Sequence, residues 1–248
     1  MIISHKYKFI FIKTRKTAGT TIVYNLLKFL GNDDIVSKSD RYSYQNSSYE
    51  TKISKLLSVW NLKEFSKKFQ KNFGPHDSAV KVRKIIGSKI FDNYFKFCVE
   101  REPVDKCISY YFMRKNSSTS SIVRKKMTWE QFVKKKRFPV DTSLYIDNDK
   151  LIVDKIIKYE NLEQELYSIL SNLGLRDFKI QNSKNNSTRE KDPLVTYEQK
   201  KIIYEKFRSS LKYTNYKIWY IKILKYSKTS AFLDIPFSLF FFGRMSRK

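Results

Sequence analysis

The sequence predicts an α/β protein, a single domain with a central, mostly parallel sheet flanked by helices. Three observations predict it. Short runs rich in Phe, Ile and Val, at Tyr7 to Lys13, Tyr94 to Val99 and Leu151 to Tyr159, have the length and residue types of buried strands. Stretches with helical apolar spacing separate them, and strands interleaved with helices favour parallel pairing. At 248 residues the chain can bury one sizeable core but is short for two independent domains. Residues 1–216 are expected to form the domain and 217–248 a basic, aromatic C-terminal extension.

The elements follow in order. The N-terminus runs straight into the strand at Tyr7 to Lys13, which leaves no room for a signal peptide and puts His5 on the surface of a frayed start. Ile22, Val23, Leu26, Leu27 and Leu30 then recur with helical spacing, and Gly31 is the expected stop. Residues 32–50 read as a polar loop, and Ile53, Leu56, Leu57, Trp60, Phe65, Phe69 and Phe73 as one or two helices ending at Gly74-Pro75. Ser78 to Ile86 is a short helix closed by Gly87; Pro103 opens the helix after the Tyr94 to Val99 strand. Thr128 with Gln131 forms a capping box. The strand at Leu151 to Tyr159 leads to a helix over Leu162 to Leu173, ended by Gly174. Residues 179–193 form a cationic loop, and Thr196 with Gln199 caps a long helix reaching Leu211.

The formal charge of +26 suggests polyanionic partners: nucleic acid, acidic lipid surfaces, or sulfated and phosphorylated ligands. An equal alternative is nucleotide bias in the genome, since Lys, Asn, Ile, Phe and Tyr are abundant together and solvated lysines need no partner. Cys98 and Cys107, the only cysteines, have neither disulfide nor metal spacing and read as buried thiols in a reducing compartment. No apolar run approaches the ~20 residues that span a bilayer. Together these predict a soluble, cytoplasmic protein without a metal site.

Two strand-to-helix junctions carry the chemistry. In KFIFIKTRKTAGTTI, residues 8–22, the turn holds Lys16, Thr17, Gly19, Thr20 and Thr21 where a helix begins, and helix N-termini attract anions. It is not a Walker A loop, which needs a glycine before the lysine. In FKFCVEREPVDKCISYY, residues 95–111, Arg101 ends a strand, Pro103 opens a helix and Ser109 lies further along it. Arginine grips phosphate through two parallel hydrogen bonds, and a serine hydroxyl can add another. On its own the second junction is ambiguous, because Asp105 could pair with Arg101 or Lys106.

Together the junctions resemble those of the sulfotransferase superfamily, whose K-T-x-G-T-[ST] loop binds the 5′-phosphosulfate of 3′-phosphoadenosine 5′-phosphosulfate (PAPS). In that superfamily a strand ending R-x-P-x-[DE]-[RK]-x-x-S-x-Y binds the 3′-phosphate. The resemblance implies a P-loop-like sulfotransferase fold, with Lys16, Thr17, Ala18, Gly19, Thr20 and Thr21 at the first group and Arg101 and Ser109 at the second. It adds Arg189 to the cofactor-binding set. The segment IVDKIIKYENLEQEL, from Ile152, resembles the family's V-D-x-I-x-[RK]-x-E-N-L, so the likeness runs from about Tyr7 to Tyr216. It is nearest the carbohydrate branch with a P-K-T-A-G-T-S loop. Arg15 stands where that branch has proline. Glu100 and Glu102 flank Arg101 where an apolar residue and Asn are usual, and their charges oppose an anion unless they point away.

His76 lies in GPHDSAVKVRKIIG, between the two junctions, where the resembling branch has a histidine base in an H-x-S-A context. A near-neutral pKa suits removing a proton from a sugar hydroxyl. The alternative is that His76 only caps the following helix with Asp77 or Ser78. Asp77 and Glu160 are lesser candidates, needing burial to raise a carboxyl pKa. The implied reaction is in-line sulfuryl transfer to an acceptor hydroxyl, with Lys16 stabilising charge on the leaving phosphate and no metal required.

The acceptor site is expected within residues 32–75 and 114–150, where the basic runs Arg124 to Lys126 and Lys134 to Arg137 either hold an anionic saccharide or are solvated helix faces. The competing classes are a P-loop-type kinase and a basic nucleic-acid-binding protein. The Walker A order is missing for the first, and no RNP or zinc-finger motif supports the second. The tail from Phe232 to Lys248 packs on the protein's own core, on an acidic membrane surface, or on a second subunit.

Overall fold

The computed structural model describes residues 1–37, 73–117, 120–180, 189, 191–214 and 216. The expected helices over residues 53–72, most of the acceptor segment 32–75 and the extension 217–248 lie outside them. In chain order the elements are β1 (Ile2–Ser4), β2 (Phe9–Ile12), α1 (Gly19–Leu27), β3 (Ile35–Val36), α2 (Ala79–Ile86), α3 (Ser88–Asn93), β4 (Phe95–Glu100) and α4 (Pro103–Asn116). There follow α5 (Ile122–Lys125), α6 (Trp129–Lys134), β5 (Ile146–Asp147), β6 (Lys150–Leu151), β7 (Lys155–Lys158), α7 (Leu162–Asn172), α8 (Tyr197–Lys206) and α9 (Arg208–Leu211).

Two compact units result, Met1–Arg101 with Asp141–Asn185 and Glu102–Val140 with Asn186–Lys248. The first holds a sheet in the order β3-β1-β2-β4-β7. The β2, β4 and β7 strands pair in parallel, while β1 runs antiparallel to both β2 and β3. Four of the five strands therefore point the same way, and the expected α/β class with a mostly parallel sheet is what forms. Side chains alternate across the sheet with period two. Phe9, Phe11, Phe97, Val99 and Ile157 bury on one face with Ile22 and Leu26 of α1 and Leu166 and Leu170 of α7. Ile10, Ile12 and Cys98 bury on the other with Val82 of α2 and Phe91 of α3. Covered on both faces, the central strands can be apolar throughout, which is why they were legible as apolar runs.

The start of the chain differs from expectation. Met1, Ile2 and Ile3 are fully buried, and β1 pairs Ile2 with Phe11 and Ser4 with Phe9. His5 is half-buried in the β1–β2 turn, its Nδ1 2.7 Å from the hydroxyl of Tyr94. Buried Asp34 ties this turn down. It accepts hydrogen bonds from Ser4 Oγ (2.7 Å), the N–H groups of His5 (2.6 Å) and Lys6 (3.0 Å), and Gly31 N–H (2.9 Å). Part of the expected loop at residue 32 onward is thus β3.

Three further boundaries move. The first helix stops at Leu27, short of Gly31, because Phe29 N–H turns back to Leu26 and Gly31 is held by Asp34. The apolar run at Leu151 to Tyr159 breaks in two: Leu151 joins the β5–β6 hairpin, and β7 begins only at Lys155. The last expected helix breaks at Phe207 into α8 and α9. Gly174 does end α7: at φ 89° it lets Leu175 N–H reach Leu170 across 2.8 Å, a left-handed cap that favours glycine.

The described residues of the second unit are helical in their regular elements. Both capping boxes form, Thr128 with Gln131 at α6 and Thr196 with Gln199 at α8. Its core gathers Tyr111, Phe112, Trp129, Phe132 and Phe138 with Tyr204 and Phe207. The Trp129 indole N–H donates to Gln199 Oε1 (2.9 Å), joining the two capping motifs. Cys98 and Cys107 are buried and form no disulfide with each other, and each lies in its own unit.

Candidate functional site

In the first unit the β2–α1 loop is held in an unusual conformation. Lys16 (φ 63°) and Ala18 (φ 58°) are both left-handed without being glycine, a backbone cost of roughly 1–3 kcal/mol each. Ala18 occupies the cap position of α1 and gives the helix no side-chain hydrogen bond, and no acidic residue lies in the first turn. A left-handed residue followed by a helical one turns successive N–H groups toward one side, an arrangement suited to an anion.

The loop is fixed from below. Thr17 is fully buried, its hydroxyl 2.8 Å from that of Thr14, and the Thr14 hydroxyl also donates to the Val99 carbonyl in β4. The Thr17 side chain is thus a tie between the loop and the end of β2. Arg15 is fixed by Asp141, a residue that no motif pointed to. One carboxylate oxygen takes Arg15 N–H (2.7 Å) and the other Nε–H (2.6 Å), with the Asp141 side chain fully buried. A proline, usual at this place in the resembling branch, has no N–H to give; the arginine here uses its own.

Arg101 is brought to the same loop. Its Nη1 donates to the Lys16 carbonyl (3.2 Å), and its guanidinium lies over the Tyr159 ring at 4.0 Å. The half-buried Lys16 ammonium is held below its ordinary pKa by burial first and by the Arg101 charge second. Two cations therefore meet at an uncapped helix start, in ground that an anion would relieve.

His76 joins them. Its Nδ1 stands 2.8 Å from the carbonyl of Lys13, at the end of β2. A carbonyl only accepts, so Nδ1 carries the proton and Nε2 presents a lone pair. Burial is the main cause lowering the His76 pKa; the Lys13 charge adds to it, while the Lys13 hydrogen bond and Asp141 oppose it. The neutral ring is thus favoured at pH 7. The capping role belongs elsewhere: Ser78 Oγ caps α2 through Lys81 N–H (3.2 Å). Asp77 is committed to Gly74 N–H (2.7 Å) and the Lys81 ammonium (2.9 Å), and Glu160 is exposed.

The two carboxylates flanking Arg101 are both buried and engaged elsewhere. Glu100 is 2% exposed beside Tyr145, whose phenol is held well above its ordinary pKa by burial and by that charge. Glu102 caps α4, accepting from Asp105 N–H (2.7 Å) and from the Tyr204 hydroxyl (2.6 Å). Burial pushes its pKa up to about 7 against those hydrogen bonds.

Ser109 and Arg189 belong to the second unit. Ser109 is half-buried on α4. Arg189 is already gripped by two carboxylates, Asp192 through both Nε and Nη2 and Asp105 through Nη1 at 2.5 Å. Burial disfavours its charge, but the Asp192 and Asp105 contacts outweigh it and hold the pKa up.

Residues 1–220 match the profile of the Sulfotransferase family. The match covers most of the chain, which belongs to that family and carries its α/β fold. An uncharacterized protein of Archaeoglobus fulgidus is 34% identical over 100 residues, spanning 38% of this chain and 79% of the relative. No solved structure matches the chain. Among the described residues no helix is long and apolar enough to cross a membrane, and no group of three or more His, Cys, Asp and Glu stands ready for a metal ion.

Proposed function

We propose that this sulfotransferase uses PAPS as donor and sulfates a hydroxyl of a carbohydrate, with His76 as general base. The observation that carries the reading is the approach of Arg101 to Lys16 at the uncapped start of α1, two cations gathered where a ligand carrying more than one phosphate would relieve both. When bound, PAPS supplies an activated sulfuryl group on a 5′-phosphate, with a 3′-phosphate as second handle.

The residues fit that group. Lys16, Gly19, Thr20 and Thr21, with the main chain of Thr17 and Ala18, hold the 5′ side, and the Lys16 ammonium offsets charge as the leaving phosphate departs. Arg101, held flat by Tyr159, takes the 3′-phosphate. Ser109 and Arg189 stay with this assignment on the sequence resemblance. His76 Nε2 removes the acceptor proton, a role worth typically 10²–10⁴-fold. The carbohydrate acceptor rests on the resemblance of the loop to P-K-T-A-G-T-S enzymes.

The test is transfer of radiolabelled sulfate from PAPS to a panel of saccharides. Wild-type protein should label at least one, and Lys16→Ala should lower turnover by orders of magnitude while folding normally. Near-normal turnover in Lys16→Ala would remove that residue from the chemistry, and labelling confined to non-saccharide hydroxyls would remove the carbohydrate.

A further inference from the structure

The β2–α1 loop carries two left-handed residues that are not glycine, and such strain persists only where the surroundings over-determine it. One anchor is local, the Thr14 and Thr17 hydroxyls. The other is Asp141, 126 positions away from Arg15. Its carboxylate accepts from the Arg15 main-chain N–H (2.7 Å) and from Arg15 Nε–H (2.6 Å). Arg15 is therefore held by backbone and side chain at once, directly before the left-handed turn at Lys16. Asp141 is fixed in its own right. Its carbonyl accepts from Leu144 N–H (2.8 Å) in a single 3₁₀ turn over Thr142–Leu144, and fully buried Tyr145 follows that turn.

We propose that Asp141 is a positioning residue of the transfer site, clamping Arg15 so that the turn from Lys16 to Ala18 presents its main chain to the 5′ group of the donor, and setting a negative charge beside His76. The proposal rests on the sulfotransferase reading and extends it to a residue outside every motif that carried that reading. Hydrogen bonds between charged partners are among the stronger ones, and a buried carboxylate is costly to leave without them. The Arg15 main chain therefore cannot swing away without stripping Asp141 of a partner. The same carboxylate acts on the base. The charges that act on the His76 ring are those of Lys13, whose ammonium donates to Thr20 Oγ1 (3.2 Å), of the Met1 amino group and of Asp141. The two cations oppose protonation of the ring and Asp141 favours it, while neighbouring Asp77 is engaged by Lys81. One buried carboxylate thereby links the loop that holds the donor to the histidine that takes the proton.

The test compares wild type with Asp141→Asn, which keeps the volume and one acceptor but not the charge. Arg15→Ala, at a side chain that is 36% exposed, is the second variant should the first fail to fold. Calorimetric affinities are measured for adenosine 3′,5′-bisphosphate and adenosine 3′-monophosphate. Each variant is expected to lose about tenfold for the bisphosphate, as for one charge-assisted contact, with little change for the monophosphate. The double variant should lose less than the two single losses combined, because Asp141 acts through Arg15. The His76 ring, resolved by proton NMR from His5, the one other histidine, should titrate at lower pH in Asp141→Asn, a change that a purely structural role would not produce. Unchanged discrimination between the two nucleotides in the folded variants, or an unmoved His76 titration, would overturn the role of Asp141 alone. A wild-type protein that does not discriminate at all would overturn the underlying reading and this proposal with it.

Discussion

His76 donates from Nδ1 to the main-chain carbonyl of Lys13 across 2.8 Å, and so keeps Nε2 as the nitrogen that can accept a proton. The hydrogen bond fixes the tautomer, and burial with the Lys13 charge holds the ring neutral. A base of this kind is lost on acidification. Because its pKa lies below the ordinary 6.5, the acidic limb of kcat/KM should fall below pH 6.5. His76→Ala should bind adenosine 3′,5′-bisphosphate like wild type, lose most turnover and lose that limb. A pH profile identical in the two proteins would assign the proton transfer to another group.

Gly19 is required for space and not for backbone freedom, since it already sits in the first turn of α1. Gly19→Ala would drive a methyl to 2.6 Å from Lys13 Cγ, near the root of the side chain and hard to displace. Overpacking of this sort costs about 1–3 kcal/mol. Urea unfolding of Gly19→Ala should register that loss, along with weaker bisphosphate binding as Lys13 is pushed from Thr20. A variant of wild-type stability and affinity would mean that the stem moves aside freely.

Glu102 predicts a pH dependence of the opposite sign to most carboxylates. Burial raises its folded pKa from 4.5 to about 7, so the folded protein holds a proton that the unfolded chain releases. The stability it contributes is fully present below pH 4.5 and is lost as pH rises through about 7, a change of roughly 3 kcal/mol at most. Glu102→Gln keeps an acceptor for Asp105 N–H and the Tyr204 hydroxyl but cannot titrate. Unfolding free energies at pH 5 and pH 8 should fall more steeply in wild type than in this variant. Equal slopes would show that Glu102 does not carry the effect.

What the sequence disclosed and what it hid divide on physical lines. The central strands, the two capping boxes and the strand-to-helix turn at Lys16 to Thr21 are local patterns, readable because burial on both faces, helix caps and the end of a strand each leave a short signature. The β1 strand was missed because three residues are too few to display a period, and its place depends on Asp34, a partner 30 residues from Ser4. Asp141 reaches Arg15 across 126 residues of sequence, and nothing local marks either end. Lys13 was hidden differently: inside an apolar run a lysine reads as a strand's edge, and only the packing of its stem on Gly19 shows where its charge goes. The break in the Leu151 to Tyr159 run, where two short strands join different sheets, is likewise set by pairing partners rather than composition.

The central claim is that this sulfotransferase holds a nucleotide with phosphate on both sides of its ribose, through Lys16 to Thr21 and Arg101. The most direct measurement is the melting temperature with adenosine 3′,5′-bisphosphate and no metal, set against ATP with magnesium. A ligand at a hundred times its dissociation constant stabilises by about 2.7 kcal/mol, a shift of roughly 5–10 °C for a chain of this size. The account predicts that shift for the bisphosphate, a much smaller one for ATP with magnesium, and loss of the 3′-phosphate preference in Arg101→Ala. A larger shift with ATP and magnesium would contradict it.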